Sequence, residues 1–262
     1  MKHTPITIEQ LMDAGCHFGH TKAHRHPKME EFVYLTREKV QILDLQKTLT
    51  KLQDLTMAVE NFVAEGKSLI LVGTKRQAKE VVKSIGEETG LSYITERWLG
   101  GTLTNFETVR QSIRKMNEIE AFLASDEAQL ISKKERVIQH QELVRLTIKF
   151  GGLKKITRVP DGLFIVDPSF EHNALLEARK LGLSVFALLD TNSDPGLVDE
   201  FVPANDDATK SINLIMGEIK LALEHGLKRA SDQAVATEAA VVAEKAKAEA
   251  DKNKELKQTN AK

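Results

Sequence analysis

The sequence predicts a doubly wound α/β fold carrying an inserted antiparallel helical hairpin, and three features of its 262 residues support this. Short, almost wholly apolar runs recur, each closed by Gly or Asp and each followed by a turn or a helical pattern, as in parallel strands covered on both faces. A long stretch from Thr104 to Lys149 contains no Pro, no Gly and no strand-like run. With 41% apolar residues, the chain is also long enough to bury a sizeable core.

Residues 1–40 read as an extended amino-terminal arm that joins the body. Cys16, His17, His20, His24 and His26 lie in it, interspersed with Lys22, Arg25 and Lys28, and Pro27 favours an extended path. Four imidazoles and a thiol are metal-ligating groups, but CHxxH followed by HxH matches no zinc signature, so no metal is expected. The alternative reading is a polar, partly cationic arm lying against phosphate.

Residues 41–228 form the expected α/β domain. Leu45, Leu49, Leu52, Leu55, Val59 and Phe62 recur at three- and four-residue steps, which makes Leu43 to Ala64 an amphipathic helix. Lys67 to Val72 is a strand closed by Gly73, and Thr74 to Ile85 a helix. In the hairpin, at about 104–150, Val109, Ile113, Met116, Ile119 and Leu123 mark one helix; Val137, Gln141, Val144 and Ile148 mark the other. The two are joined near Ser125 to Ser132, and at 1.5 Å per residue each runs about 30 Å, long enough to project as a docking arm. Gly162 to Val166 is the next strand, followed after Asp167 and Pro168 by a helix to Leu181. Ser184 to Leu189 is another, ending in Asp190 and a turn. A helix closes the domain from Ala208 to Leu227. The Ala, Glu and Lys-rich residues 229–262 are a low-complexity tail that buries too little surface to fold alone.

Charge adds a hint of function. The formal net charge is −1, yet Arg97 to Arg158 hold twelve Lys/Arg against seven Asp/Glu, and Val159 to Asp207 hold two against ten. Binding to nucleic acid follows such local distribution rather than the sum. The single cysteine suits a reducing compartment, and no apolar run has the length of a membrane span, so a cytoplasmic protein is expected.

The turn GTKRQAK sets Lys75, Arg76 and Lys79 at a helix start, a seat for phosphate, although neither GxxxxGK[ST] nor GxGxxG is present. The segment RWLGGTLTNF combines Arg97, the only tryptophan, Trp98, the pair Gly100 and Gly101, and the polar Thr104 and Asn105. An Arg, polar donors and planar rings in one loop suit the sugar-phosphate edge of folded RNA; alternatively, Trp98 and Phe106 fill the core beneath a capped helix. Arg110 and Arg114, in the following helix, complete the candidate RNA-binding set. Asp167 and Asp190 stand at strand ends where α/β enzymes place catalytic groups, but no catalytic interval accompanies them and capping is the simpler role. An enzyme using Lys75 and Asp167 on a phosphorylated small molecule is the competing class; a protein-interaction scaffold is a third.

The phrases AGCHFGH, HPKM, ILDLQKT, VGTKRQA, RWLGGTLTNF, VDPSFEHNALLEARKLG and LLDTNSDP, in order from Leu11 to Leu227, resemble the bacterial small-subunit ribosomal protein S-two family. The resemblance implies a flavodoxin-like domain with a protruding coiled-coil hairpin and no enzymatic reaction, cofactor or small-molecule substrate. It further implies partners: small-subunit ribosomal RNA and neighbouring ribosomal proteins, among them the messenger-recruiting protein S-one. Carried onto this chain, RNA contacts fall on His17, His20 and Lys28, on Lys75 and Arg76, and on Arg97 to Phe106. The arm sequence TKAHRH departs from the family's Arg/Trp/Asn-containing arm.

Overall fold

The computed structural model describes residues 6–233. It opens on α1 (Ile8–Asp13), whose first turn is closed by reciprocal bonds between Thr7 and Gln10. Strands β1 (Phe18–Thr21), β2 (Val33–Arg37) and β3 (Val40–Leu43) then form a small antiparallel sheet in the order β1-β3-β2. Where an extended arm is expected, the chain is therefore folded. Pro27 starts a 3-10 turn, Pro27–Phe32, a position where its missing N–H costs nothing. The arm's backbone groups find partners on the body: the His26 N–H donates to the Thr191 carbonyl at 2.8 Å, and the Asn205 N–H to the Cys16 carbonyl at 3.1 Å.

Helix α2 (Leu45–Ala64) begins at Asp44, which accepts from the Gln46 N–H at 3.0 Å. Its expected stripe is buried at Leu52, Leu55, Val59 and Phe62, each apolar side chain contributing on the order of 1.5–3 kcal/mol. There follow β4 (Leu69–Val72), α3 (Lys79–Thr89), β5 (Ser92–Ile94), α4 (Phe106–Ala124), α5 (Lys133–Phe150), β6 (Gly162–Val166), α6 (His172–Leu181), β7 (Ser184–Leu189), β8 (Glu200–Pro203) and α7, a helix over 209–233. Helix α3 starts later than its periodicity suggests, because Thr74 to Ala78 close a turn in which the Ala78 N–H donates to the Lys75 carbonyl at 2.8 Å.

The five later strands make one parallel sheet, ordered β5-β4-β6-β7-β8. Successive side chains alternate between its faces, as a pleat requires. Leu69, Leu71, Phe164, Val166, Phe186 and Leu188 pack with α2, α3 and α7 on one side. On the other, Ile70, Val72, Leu163, Ile165, Val185 and Ala187 pack with α4, α5 and α6. A parallel sheet with helices on both faces matches the expected class. From β4 the chain steps outward to β5 and returns to β6 on the opposite flank, so the strand order reverses between β4 and β6, which is where such sheets offer a crevice.

Helix α4 buries the residues its spacing marks: Val109, Ile113, Met116 and Ile119. Helix α5 does not. Val137, Val144 and Ile148 are 49%, 46% and 57% exposed, while Leu146 and Phe150 are buried with Leu143 packed beside them. Leu143, Leu146 and Phe150 share a helical stripe as good as the expected one, and the choice between the two is made by contact with α4. Lys115 and Glu142 pair across the two helices at 3.0 Å. Beyond α5, Gly152 lies over the outer edge of β5, so close that a Cβ there would stand 2.1 Å from the Tyr93 carbonyl oxygen. An exposed edge strand is thereby covered. Among the described residues, no helix is long and apolar enough to cross a membrane. Residues 234–262, most of the expected tail, lie outside the described residues.

Candidate nucleic-acid interface

The ends of β4, β5 and β6 carry the loops singled out by sequence. After β4 come Thr74, Lys75 and Arg76; after β5, the segment from Arg97 to Asn105; after β6, Asp167 to Glu171. A concavity of about 360 Å³ between them is lined by Thr74, Glu96, Arg97, Trp98, Phe170, Glu171 and Asn173.

Lys75 and Arg76, adjacent in sequence, have opposite fates. The Lys75 side chain is 12% exposed, and its ammonium lies 3.0 Å from Asp167, 2.8 Å from Asp206 and 2.6 Å from Asp207. The ammonium donates hydrogen bonds to Asp167 and Asp206 and pairs in addition with Asp207, so carboxylates of the protein surround it. Burial alone would lower the pKa of this lysine, but Asp206, Asp207 and Asp167 outweigh it and hold the group above its usual range. Lys75, expected from sequence to meet phosphate, is thus engaged by the protein's own carboxylates. Arg76 is exposed, and no ion pair engages it among the described residues.

The same acidic centre receives the arm. His20 Nδ1 lies 2.7 Å from Asp190 Oδ2, and its Nε2 lies 3.5 Å from Asp207. The hydrogen bond with Asp190 raises the His20 pKa to about 9, against the opposing effect of burial, with Asp206 and Asp207 adding to the rise. The Asp206 side chain is fully buried and is pushed up to about 8, first by burial and then by Asp167 and Asp190. Its Oδ2 has no hydrogen-bond partner. His20, Asp190, Asp206 and Asp207 bring one donor atom each within 4.8 Å of one another, a set that suits a cation; Lys75 supplies positive charge at the same place. The arm cluster suspected from spacing does not assemble. Cys16 is buried and accepts from the Ser211 hydroxyl at 3.2 Å, with burial raising its thiol pKa. His17 stacks on Phe18 at 4.0 Å, and burial lowers its pKa, which favours the neutral ring. His24 is exposed, and His26 lies 3.7 Å from Asp194.

The remaining arm cations divide in the same way. Arg25 pairs with Glu30 at 2.8 Å and Lys28 with Asp194 at 3.0 Å, while Lys22 is exposed and no ion pair engages it among the described residues. Asp167 and Asp190 serve as fasteners. Asp167, at φ 60°, accepts from the Phe170 N–H at 3.0 Å as well as from Lys75. Asp190 accepts from the Thr191 N–H and holds His20. Lys75 and Asp167, the two groups of the competing enzyme reading, are thus bonded to each other.

In the loop after β5, Trp98 is buried and its Nε1 donates to Glu177 at 3.0 Å, so the ring belongs to the core as the alternative reading allows. Phe106 is half-buried. Arg97, Gly100, Thr104 and Asn105 are exposed. Gly101 is held at φ +89°, a conformation that excludes most side chains, whereas a Cβ on Gly100 would meet nothing within 4 Å. Asn105 stands at the start of α4, but its side chain accepts from the Thr108 hydroxyl instead of a backbone amide. Arg110 and Arg114, four residues apart, share one face of α4. Arg110 lies 3.4 Å from Glu107, and Arg114 is exposed with no ion pair among the described residues.

Two residues of this region escaped the sequence reading. Phe170 exposes 60% of its surface at the rim of the concavity, in a position that local pattern reads as the start of a helix. Glu177 is a helix residue 73 to 79 positions distant from the loop whose groups it binds, and no local signal marks it.

The Ribosomal protein S2 family profile matches residues 11–226. A protein of Chlorobaculum tepidum named small ribosomal subunit protein uS2 is 44% identical over 213 residues, covering 81% of this chain and 86% of the relative. The protein of the same name from Thermus thermophilus is 44% identical over 211 residues, covering 80% and 82%. That of Chloroherpeton thalassium is 40% identical over 247 residues, covering 94% and 99%.

Proposed function

The chain belongs to the ribosomal protein S2 family, a family of structural and non-enzymatic components of the small ribosomal subunit, and from that premise we propose that it binds small-subunit ribosomal RNA through the loops at the ends of β4 and β5 and the first turns of α4. The observation that carries the site is the division of its cations. Arg76, Arg97 and Arg114 are exposed with no ion pair among the described residues, while Lys75 and His20 are engaged by carboxylates. Exposed arginines neutralise phosphates and release counterions, and Gly100, Thr104 and Asn105 let the RNA backbone approach the loop between them. On the arm, Lys22 is the cation best placed to join them. The domain reads as flavodoxin-like, with α4 and α5 as its coiled-coil arm. Retention of the messenger-recruiting protein S-one, and residence in the cytoplasmic ribosome, complete the proposal.

The test is sedimentation. The protein should travel with small subunits at low salt and be stripped from them as salt rises; recovery in the free fraction at all salt concentrations is the contrary result. In subunit reconstitution, Arg97→Ala should weaken incorporation more than Lys228→Ala, and equal effects would remove Arg97 from the interface.

Gly100 offers a separate check. Because an added Cβ meets nothing in the free protein, Gly100→Ala should leave urea-unfolding stability within about 0.5 kcal/mol of the parent. If RNA lies against this loop, the same substitution should still lower incorporation measurably. Normal incorporation would mean that nothing approaches Gly100 closely.

A further inference from the structure

We propose that Glu177 is a positioning residue for RNA binding, a single carboxylate that shapes the loop from Arg97 to Asn105 before RNA arrives; this rests on the interface proposed above. Two donors converge on Oε1, the Trp98 indole Nε1 at 3.0 Å and the Gly101 N–H at 2.8 Å. Three converge on Oε2: the Leu103 N–H, the Thr104 N–H and the Thr104 hydroxyl, each at 3.0 Å. The loop is also tied by two short turns, Thr102 N–H to the Leu99 carbonyl at 3.0 Å, which the Thr102 hydroxyl bonds as well, and Asn105 N–H to the Gly101 carbonyl at 2.8 Å.

Backbone N–H groups converging on one point make a nest for an anion. Here the nest holds the protein's own anion, so the amides of Gly101, Leu103 and Thr104 are not phosphate donors. The contact with RNA is left to what faces outward: Arg97, Gly100 and Asn105. A carboxylate beside a phosphate site would ordinarily repel its ligand. With five donors around it, Glu177 instead turns its charge inward and fixes the backbone that carries those outward groups. Rigid presentation removes an ordering cost that a loose loop would meet on binding.

The experiment uses the full chain, purified small-subunit ribosomal RNA as probe, and Glu177→Gln. Glutamine keeps the shape but turns an N–H₂ toward either the two donors at Oε1 or the three at Oε2. Trp98 is the only tryptophan, so one indole N–H resonance reports on the loop directly. The variant should shift that resonance and weaken RNA affinity about tenfold, the scale of losing a hydrogen bond to a charged group. The slope of log affinity against log salt should stay the same, since no phosphate-neutralising cation is removed. In an Arg97→Ala background the loss should shrink, because Glu177 acts through the groups it positions. If Glu177→Gln does not fold, Glu177→Asp, which keeps the charge and withdraws it from the donors, should give the same changes on a smaller scale. Affinity within twofold of the parent despite a shifted indole resonance would overturn the proposal, as would an undiminished loss in the Arg97→Ala background. If the parent itself does not bind this RNA, the functional reading fails rather than the role of Glu177.

Discussion

Lys75→Ala is expected to destabilise the protein by about 3–5 kcal/mol, the scale of breaking a buried ion pair by removing one partner. The Lys75 ammonium is shared by Asp167, Asp206 and Asp207, and the Asp206 side chain has no exposure to water. Without the lysine, Asp167, Asp190 and Asp206 stand close together with only His20 to offset them. At neutral pH Asp206, pushed up to about 8, already holds a proton and loses its bond to Lys75, while Asp167 is left buried without its counter-charge. Nothing then restores the link that Lys75 makes between the turn after β4, the strand end of β6 and the segment after β8. Urea unfolding at neutral pH measures this, with Arg76→Ala as the neighbouring control, expected to change stability by no more than about 0.5 kcal/mol. Equal costs for the two substitutions would mean that the acidic centre does not depend on Lys75.

That pair of residues also shows how far the sequence could be read. GTKRQAK presents two adjacent cations at the end of a strand, and composition alone treats them alike. Which of them turns inward is decided by Asp206 and Asp207, at least 131 positions after Lys75, brought alongside by the parallel order of the sheet. The strands β4, β6 and β7 were legible because burial on both faces makes them continuous apolar runs. Strands β5 and β8 were not: Ser92–Ile94 is too short to show a period, and Glu200–Pro203 ends in a proline.

Helices α4 and α5 show the same limit at the next level. That both are helical was legible from the absence of breakers, and the structure closes the start of α5 with the Ser132 and Glu135 capping box. The inward face of α5 was not, since two apolar stripes compete and the partner chooses. In the arm, local polarity suggested an extended strand of phosphate contacts, but His20 is drawn to Asp190, 170 residues away. Arg97, by contrast, is exposed. Residues that face outward keep the character their neighbours give them; residues that face inward take theirs from whatever the fold packs beside them.

The acidic centre should make stability fall as pH rises from about 6.5 to 9. His20 has a folded pKa of about 9 against an ordinary 6.5. A raised folded pKa contributes fully below the unfolded value and is lost as pH climbs through the folded one, so His20 stops helping between about pH 6.5 and 9. Asp206, at about 8 against an ordinary 3.8, keeps a proton that the unfolded chain has already released. Its contribution therefore also declines with rising pH, from about 4 to 8. The two windows overlap between about pH 6.5 and 8, and each retained proton adds a slope of about 1.4 kcal/mol per pH unit. Asp161, Glu177 and Asp194 act in the opposite sense: against burial, hydrogen bonds hold all three pKa values down, helped by Arg158 at Asp161 and by His26 and Lys28 at Asp194. Their stabilisation is lost only as pH falls through those depressed values, well below the window in question. Urea unfolding at about pH 5.5, 6.5, 8 and 9, in the presence of a chelator so that no divalent cation stands in for a proton, should show the decline. Asp206→Asn and His20→Gln should each flatten it. A parent protein equally stable at pH 6.5 and 8 would mean that the arm is not fastened to the body through a protonated His20.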